Sequence, residues 1–178
     1  MASHVAFLRG MNLGKRRITN VELCACFEQL GFGEVAAFLA SGNVVFSAKG
    51  TPAVLKKRIE SGLAEALDYE VPTFIRTATQ VTTLAGSDPF ASRGDGTGRG
   101  KPQIALLARK PTPNNAAAAL AYDTDDDWLA LQGQELHWWP CAGVSDSELD
   151  FKALAKILGP PTVRTRMTIV RLVAKYFA

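Results

Sequence analysis

Histidine and cysteine are scarce. The 178 residues hold two histidines, His4 and His137, and three cysteines, Cys24, Cys26 and Cys141. Three cysteines make no disulfide framework, and two histidines far apart in sequence argue against a zinc site. No metal and no cofactor is expected. Apolar runs are short as well. None approaches the roughly 20 residues of a membrane-spanning helix, so no membrane partner is expected. The N-terminal stretch has no charged start followed by an apolar core and a cleavage site, which sets the expected location as cytoplasmic. Acids are missing from both ends. Residues 1–20 carry Arg9, Lys15, Arg16 and Arg17, and residues 151–178 carry Lys152, Lys156, Arg164, Arg166, Arg171 and Lys175, with no carboxylate side chain in either stretch. The net charge of +3 is too small to announce a nucleic-acid binder. Two basic ends matter only if they meet in space.

What is present is an ordinary globular balance, with 47% hydrophobic and 21% charged residues. The length suits one large domain or two small ones. Residues 4–9, HVAFLR, alternate and predict a strand, followed by a loop over 10–18. Thr19 and Glu22 then fit a capping box. Leu23, Cys26, Phe27 and Leu30 recur on one helical face, and Gly31 stops the helix. Strands are predicted over 35–40 and 44–48, joined by the Ser41-Gly42-Asn43 hairpin signal. Thr51 caps and Pro52 opens a second helix, with Leu55, Ile59, Gly62, Leu63 and Ala66 facing inward. A strand over 71–76 and a short helix over 78–86 complete the order β-α-β-β-α-β plus a helix. That is the split βαβ, ferredoxin-like plan.

Residues 89–102, PFASRGDGTGRGKP, are Gly-rich without apolar period, and 91–101 are expected to form a mobile linker. The order then restarts. A strand over 103–109, a short helix over 114–122, strands DWLALQ and ELHWWP about Gly133, and a helix with Phe151, Leu154, Ala155 and Leu158 inward follow. Ser145 and Glu148 give a second capping-box match. A strand over 162–166 and a last helix capped by Thr168 close the chain. The predicted fold class is α+β. It comprises two tandem ferredoxin-like units with mainly antiparallel sheets, each followed by an extra helix, spanning 1–90 and 102–178.

AFLRGMNLGK, FLASGNVVFSA and DPF together resemble an uncharacterised bacterial family of small proteins, a domain of unknown function numbered sixteen-ninety-seven. The resemblance covers residues 5–90 most clearly and weakens over 103–178. It implies the same tandem ferredoxin-like units and brings no activity, cofactor or catalytic residue. Departures from the family's pattern include Lys15 in place of a second glycine, Ser145 and Asp146 in place of a Gly-Arg pair, and Thr165, Arg166 and Met167 between Arg164 and Thr168.

The split βαβ order sets the end of the first strand beside the start of the third. Arg9, Gly10, Asn12, Lys15, Arg16 and Arg17 therefore converge on Ser41 and Asn43, near the N-terminus of the first helix. Free N–H groups, cations and glycine backbone there suit a phosphate, a carboxylate or a nucleic-acid backbone. The bland alternative is turn chemistry with solvated cations. Arg164 and Arg166 form a secondary basic candidate.

Other motifs are weaker. GDGTGRG lacks the strand and helix that a dinucleotide fingerprint needs. DTDDDW lacks the calcium-loop glycine and glutamate and reads as a solvated acidic turn, able to pair with a basic chain end. Trp138 and Trp139 fall on opposite strand faces. One belongs to a core. The other suits a packing interface between units or between copies in a homodimer, or a stacking surface for RNA. Cys26 faces the core and Cys141 is the exposed thiol, with no activating neighbour in sequence. No catalytic triad is visible. The leading expectation is a binding protein for an anionic ligand, a phosphorylated small molecule or nucleic acid. The rivals are an enzyme with a site between the two units and a structural or oligomeric interaction module.

Overall fold

The computed structural model describes residues 3–11, 13–14, 17–39 and 42–178. The chain divides into two compact units, residues 1–84 with 171–178 and residues 85–170. The first begins β1 (His4–Leu8), α1 (Asn20–Gln29), β2 (Gly33–Ala37), β3 (Asn43–Ser47), α2 (Pro52–Leu67), β4 (Thr73–Thr77) and α3 (Ala78–Gly86). Its sheet has the order β2-β3-β1-β4, with every pairing antiparallel.

Local chemistry explains the helix starts. The Thr19 hydroxyl accepts from Glu22 N at 3.2 Å, and Glu22 Oε2 accepts from Thr19 N at 2.7 Å. This is the expected capping box, worth about 1 kcal/mol. Thr51 caps α2 from in front of Pro52. Leu23 and Phe27 of α1 and Leu55, Ile59 and Leu63 of α2 pack on Ala6, Leu8, Val44, Phe46 and Ile75. Each fully buried Leu or Phe contributes about 1.5–3 kcal/mol relative to exposure. Gly62 lies so close to Leu30 that a Cβ would overlap its side chain, and the two helices approach there.

All five residues of β1 are buried. The alternate face of this sheet, with Val5, Phe7, Val45, Phe74 and Arg76, is as buried as the helix-covered one. The HVAFL strand is thus doubly buried, which is why it is so nearly apolar, and Arg9 just beyond it is exposed.

The second unit holds β5 (Gln103–Leu106), α4 (Pro113–Leu120), β6 (Asp127–Gln132), β7 (Glu135–Pro140), α5 (Phe151–Leu158), β8 (Thr162–Thr165) and the start of α6 (Arg166–Tyr176). Its order is β6-β7-β5-β8, again wholly antiparallel. The fold class is therefore the expected one, two ferredoxin-like units with extra helices. Leu129, Leu136, Trp138, Leu154 and Leu158 build its core with Ala105, Leu107 and Ala119.

Two helix starts differ from expectation. Asp150 caps α5 through Ala153 N at 2.9 Å, while Ser145 sits in a separate single 3-10 turn, Val144–Asp146. Asp150 is adjacent to the first apolar residue of the helical face and takes the role that Ser145 and Glu148 matched only by spacing. The last helix starts at Arg166, with the Thr165 hydroxyl accepting from Thr168 N at 3.2 Å. Thr168 is thus the third residue of that helix, not its cap.

Candidate functional site

The end of β1 meets the start of β3, as the element order implies. Phe7 pairs with Asn43, and Leu8 N donates to Gly42 O at 2.7 Å. Gly10 and Gly42 both adopt φ +71°. A Cβ on Gly42 would press on Leu8 and Met11, so the glycine permits the close approach of hairpin and loop. Asn20, first residue of α1, donates to Leu39 O at 3.3 Å, which brings the helix start to the same end of the sheet.

The side chains there have distinct occupations. Arg9 is exposed, its main-chain N–H donating to Pro72 O at 3.0 Å. Arg17 Nη1 donates to Gly14 O at 3.1 Å. Asn43 is fully buried and its Nδ2 donates to Phe38 O at 2.9 Å, closing the turn. Glu22 is committed to Thr19, whose N–H and hydroxyl hold its carboxyl below the usual range. Asn12, Lys15, Arg16 and Ser41 lie outside the described residues.

The Gly-rich stretch carries specific contacts that its composition did not announce. Arg99 donates to the carbonyls of Asp125, Asp126 and Trp139 at 3.0, 2.6 and 2.8 Å. Arg93 pairs with the Asp123 carboxylate at 2.6 Å. Both guanidiniums lie over the Trp128 ring, at 4.6 Å for Arg93 and 4.1 Å for Arg99. The acidic turn thus meets the Gly-rich stretch.

Trp138 is core, its indole N–H bonded to the Asp127 carboxylate at 2.7 Å. Trp139, on the other face, donates to Gly100 O at 2.6 Å and packs with Phe90 and Trp128. A Cβ on Gly96, φ +68°, would overlap the Trp139 ring, and Gly100 leaves no room for a Cβ beside the Ala142 carbonyl. The indole that could have stacked on RNA bases is occupied by the chain's own residues.

A cavity of about 60 Å³ opens beside this aromatic cluster. It is lined by the Asp88-Pro89-Phe90 motif, Pro102, Gln103, Ile104, His137, Trp139 and Arg166. Four stretches distant in sequence supply its polar groups, among them Gln103, whose Nε2 donates to Lys101 O at 2.9 Å. His137 projects from β7 opposite Ile104 of β5. Arg166 follows β8 directly, its main-chain N–H held by Pro102 O at 2.9 Å. Asp88 closes a turn by accepting from Phe90 N at 3.1 Å.

His137 is 2% exposed, and its Nε2 has no hydrogen-bond partner among the described residues. Burial, reinforced by the Arg166 cation and opposed by Asp88, pushes its pKa from 6.5 down to about 4. The imidazole is therefore neutral near pH 7. Arg166 is braced by backbone carbonyls. Its Nε donates to Ser87 O at 3.3 Å, and Nη2 donates to Ala85 O and Ser87 O at 3.2 Å each.

Arg164 and Arg166, paired as a basic candidate, have different roles. Arg164 is 9% exposed, donates to Thr162 Oγ1 and Val163 O at 2.9 and 2.8 Å, and burial lowers its pKa to about 10. Only Arg166 lines the cavity. Cys141 is exposed and Cys26 partly buried, as expected; burial raises the Cys26 thiol pKa. Among the described residues no cluster of His, Cys, Asp or Glu could hold a metal ion, and no helix is long and apolar enough to cross a membrane.

The sequence reading passed over His137 and Asp88. One signal was present. The Asp-Pro-Phe motif belongs to the family signature without belonging to any strand or helix, and the sheet order places β7 and β8 on either side of β5.

Residues 1–137 match the family described as "Protein of unknown function (DUF1697)", and the chain belongs to that family. The match ends within β7, before the departures around residues 145 and 165. Among solved structures, the conserved bacterial protein SP0830 from Streptococcus pneumoniae is similar, with a TM-score of 0.72 and 17% identity over 98% of this chain and 99% of that one. A likeness at that identity shows the shared fold. No curated protein matches the sequence.

Proposed function

We propose that this member of the family is a binding protein for an anionic ligand, a phosphorylated small molecule or nucleic acid, received at the opening loop and its hairpin. One observation carries the reading. The two stretches that define the family signature, LRGMNLGK and SGNVVF, meet through the Leu8–Gly42 hydrogen bond at one end of the first sheet. Four cations accompany them in the sequence, Arg9, Lys15, Arg16 and Arg17. With Glu22 already bonded to Thr19 and Asn43 closing the turn, the anion's contacts fall to the loop cations and glycine backbone rather than to the helix terminus.

Arg9→Ala combined with Lys15→Ala, Arg16→Ala and Arg17→Ala tests this. Wild-type protein should be stabilised in thermal shift by phosphorylated small molecules, or should raise the fluorescence anisotropy of labelled RNA or DNA, and the quadruple variant should lose the effect. If the ligand is duplex DNA, log K falls against log salt with a slope of about −3.6. Absence of wild-type binding, or binding unchanged in the variant, overturns the proposal.

A further inference from the structure

We infer that the cavity of the second unit is a separate binding site, for a small, singly charged carboxylate held between the Arg166 guanidinium and the His137 imidazole. One of its buried polar groups, the His137 imidazole, lacks a partner at Nε2 among the described residues. A buried side-chain nitrogen without a partner is rare in native structures and calls for a water, ion or ligand. His137 Nε2 is such a nitrogen, and the cavity beside it is larger than the ~10–15 Å³ that admits one water.

Arg166 adds a charge in a fixed place. Its Nε and Nη2 are spent on the carbonyls of Ala85 and Ser87, and among the described residues no carboxylate pairs with it. A carboxylate oxygen facing Nη1 would make a charge-assisted hydrogen bond. The neutral imidazole carries one N–H, enough for the second oxygen.

The remaining walls set size and charge. Phe90, Ile104 and Trp139 suit a methyl or ethyl group. The exposed carboxylate of Asp88 on the same cavity repels a dianion about twice as strongly as a monoanion, which selects against a phosphate dianion. Nor is the polar pair a requirement of the fold, since the first sheet has Val45 and the first unit's following helix has Ala78 at the corresponding places.

Long-range imidazole spectra of the full-length, 15N-labelled protein test the site at about pH 7. Acetate and propionate should shift the His137 ring signals saturably and leave those of His4, which is bonded to Ser3, in place. Inorganic phosphate should bind about tenfold more weakly or worse. Arg166→Met should weaken acetate binding about tenfold, the loss of one charge-assisted hydrogen bond. Arg166 also braces backbone, so His137→Phe serves as a second variant, with the Ile104 methyl signals as its readout, and should likewise bind acetate more weakly. The inference is overturned if no saturable shift appears, if both variants bind acetate as the wild type does, or if phosphate binds as tightly as acetate.

Discussion

The two units share a backbone plan down to individual hydrogen bonds. Val5 pairs with Val45 and Arg76; Ile104 pairs with His137 and Arg164. Leu8 N meets Gly42 O at 2.7 Å, and Leu107 N meets Gln134 O at 2.8 Å. Ala78 N meets Ser3 O and Arg166 N meets Pro102 O, each at 2.9 Å. Thr77 and Thr165 cap the helices that follow β4 and β8, each accepting from the backbone N–H three residues on at 3.2 Å. Even the buried arginines correspond, Arg76 and Arg164, each donating to the preceding residue's carbonyl.

On this common scaffold two of the differences bear on the cavity. Val45 in the first corresponds to His137 in the second, and Ala78 to Arg166. The first sheet keeps an apolar position where the second carries an unpartnered imidazole beside a cation. Backbone bonds fix where a side chain emerges; the residue at that point fixes whether a site exists. The glycines differ as well. Gly62 makes room for the movable Leu30 side chain, whereas Gly100 makes room for a carbonyl that cannot turn away.

The largest effect should come from those glycines. Gly100→Ala should cost about 3 kcal/mol or more, since the new methyl meets main chain. Gly62→Ala should change stability by no more than about 1 kcal/mol, because Leu30 can move and alanine favours the helix. Urea midpoints followed by far-UV circular dichroism compare them, and similar costs would break the distinction.

Exchanging the divergent position comes next. The folded state holds His137 neutral with a pKa near 4, below the ordinary 6.5. The unfolded chain binds a proton that the folded chain refuses, so this stability is fully present above pH 6.5 and is lost as pH falls toward 4. His137→Val should remove a loss of about 2 kcal/mol between pH 7 and pH 5. Denaturant titrations at the two pH values measure it. Parallel pH dependence in variant and wild type would contradict the imidazole's assigned burial.

The smallest effect sharpens the correspondence itself. Thr77→Ala and Thr165→Ala should each cost about 1 kcal/mol. Thermal midpoints shifted by unlike amounts would show that the two caps are not equivalent.

Much of this plan was legible because it is written locally. Thr19 and Glu22, Pro52 after Thr51, and the alternation of DWLALQ and ELHWWP around Gly133 are short-range signals, and the elements formed there. Where two local signals competed, proximity decided. Ser145 and Glu148 matched the capping spacing, but Asp150 adjoined the apolar face and took the role. The contacts of the Gly-rich stretch were hidden for a physical reason. Glycine reads as freedom when its partner is far away in sequence, and Gly96 gains its meaning only from Trp139. The cavity was hidden in the same way, since His137, Arg166 and Asp88 are neighbours through strand order alone. The meeting of the first strand's end with the start of the third was legible from sheet topology, and the Thr19–Glu22 capping box from spacing, while the commitment of Asn43 to Phe38 was not.

The indole clustering has an optical consequence. All three tryptophans, Trp128, Trp138 and Trp139, belong to the unit spanning residues 85–170, and two of them rest against the Gly-rich stretch or its arginines. Excitation selective for indole therefore observes one half of the molecule and is blind to the other. Backbone dichroism sees both halves at once. Two transitions that coincide by these probes would report a single cooperative unit, and two that separate would report each half in turn.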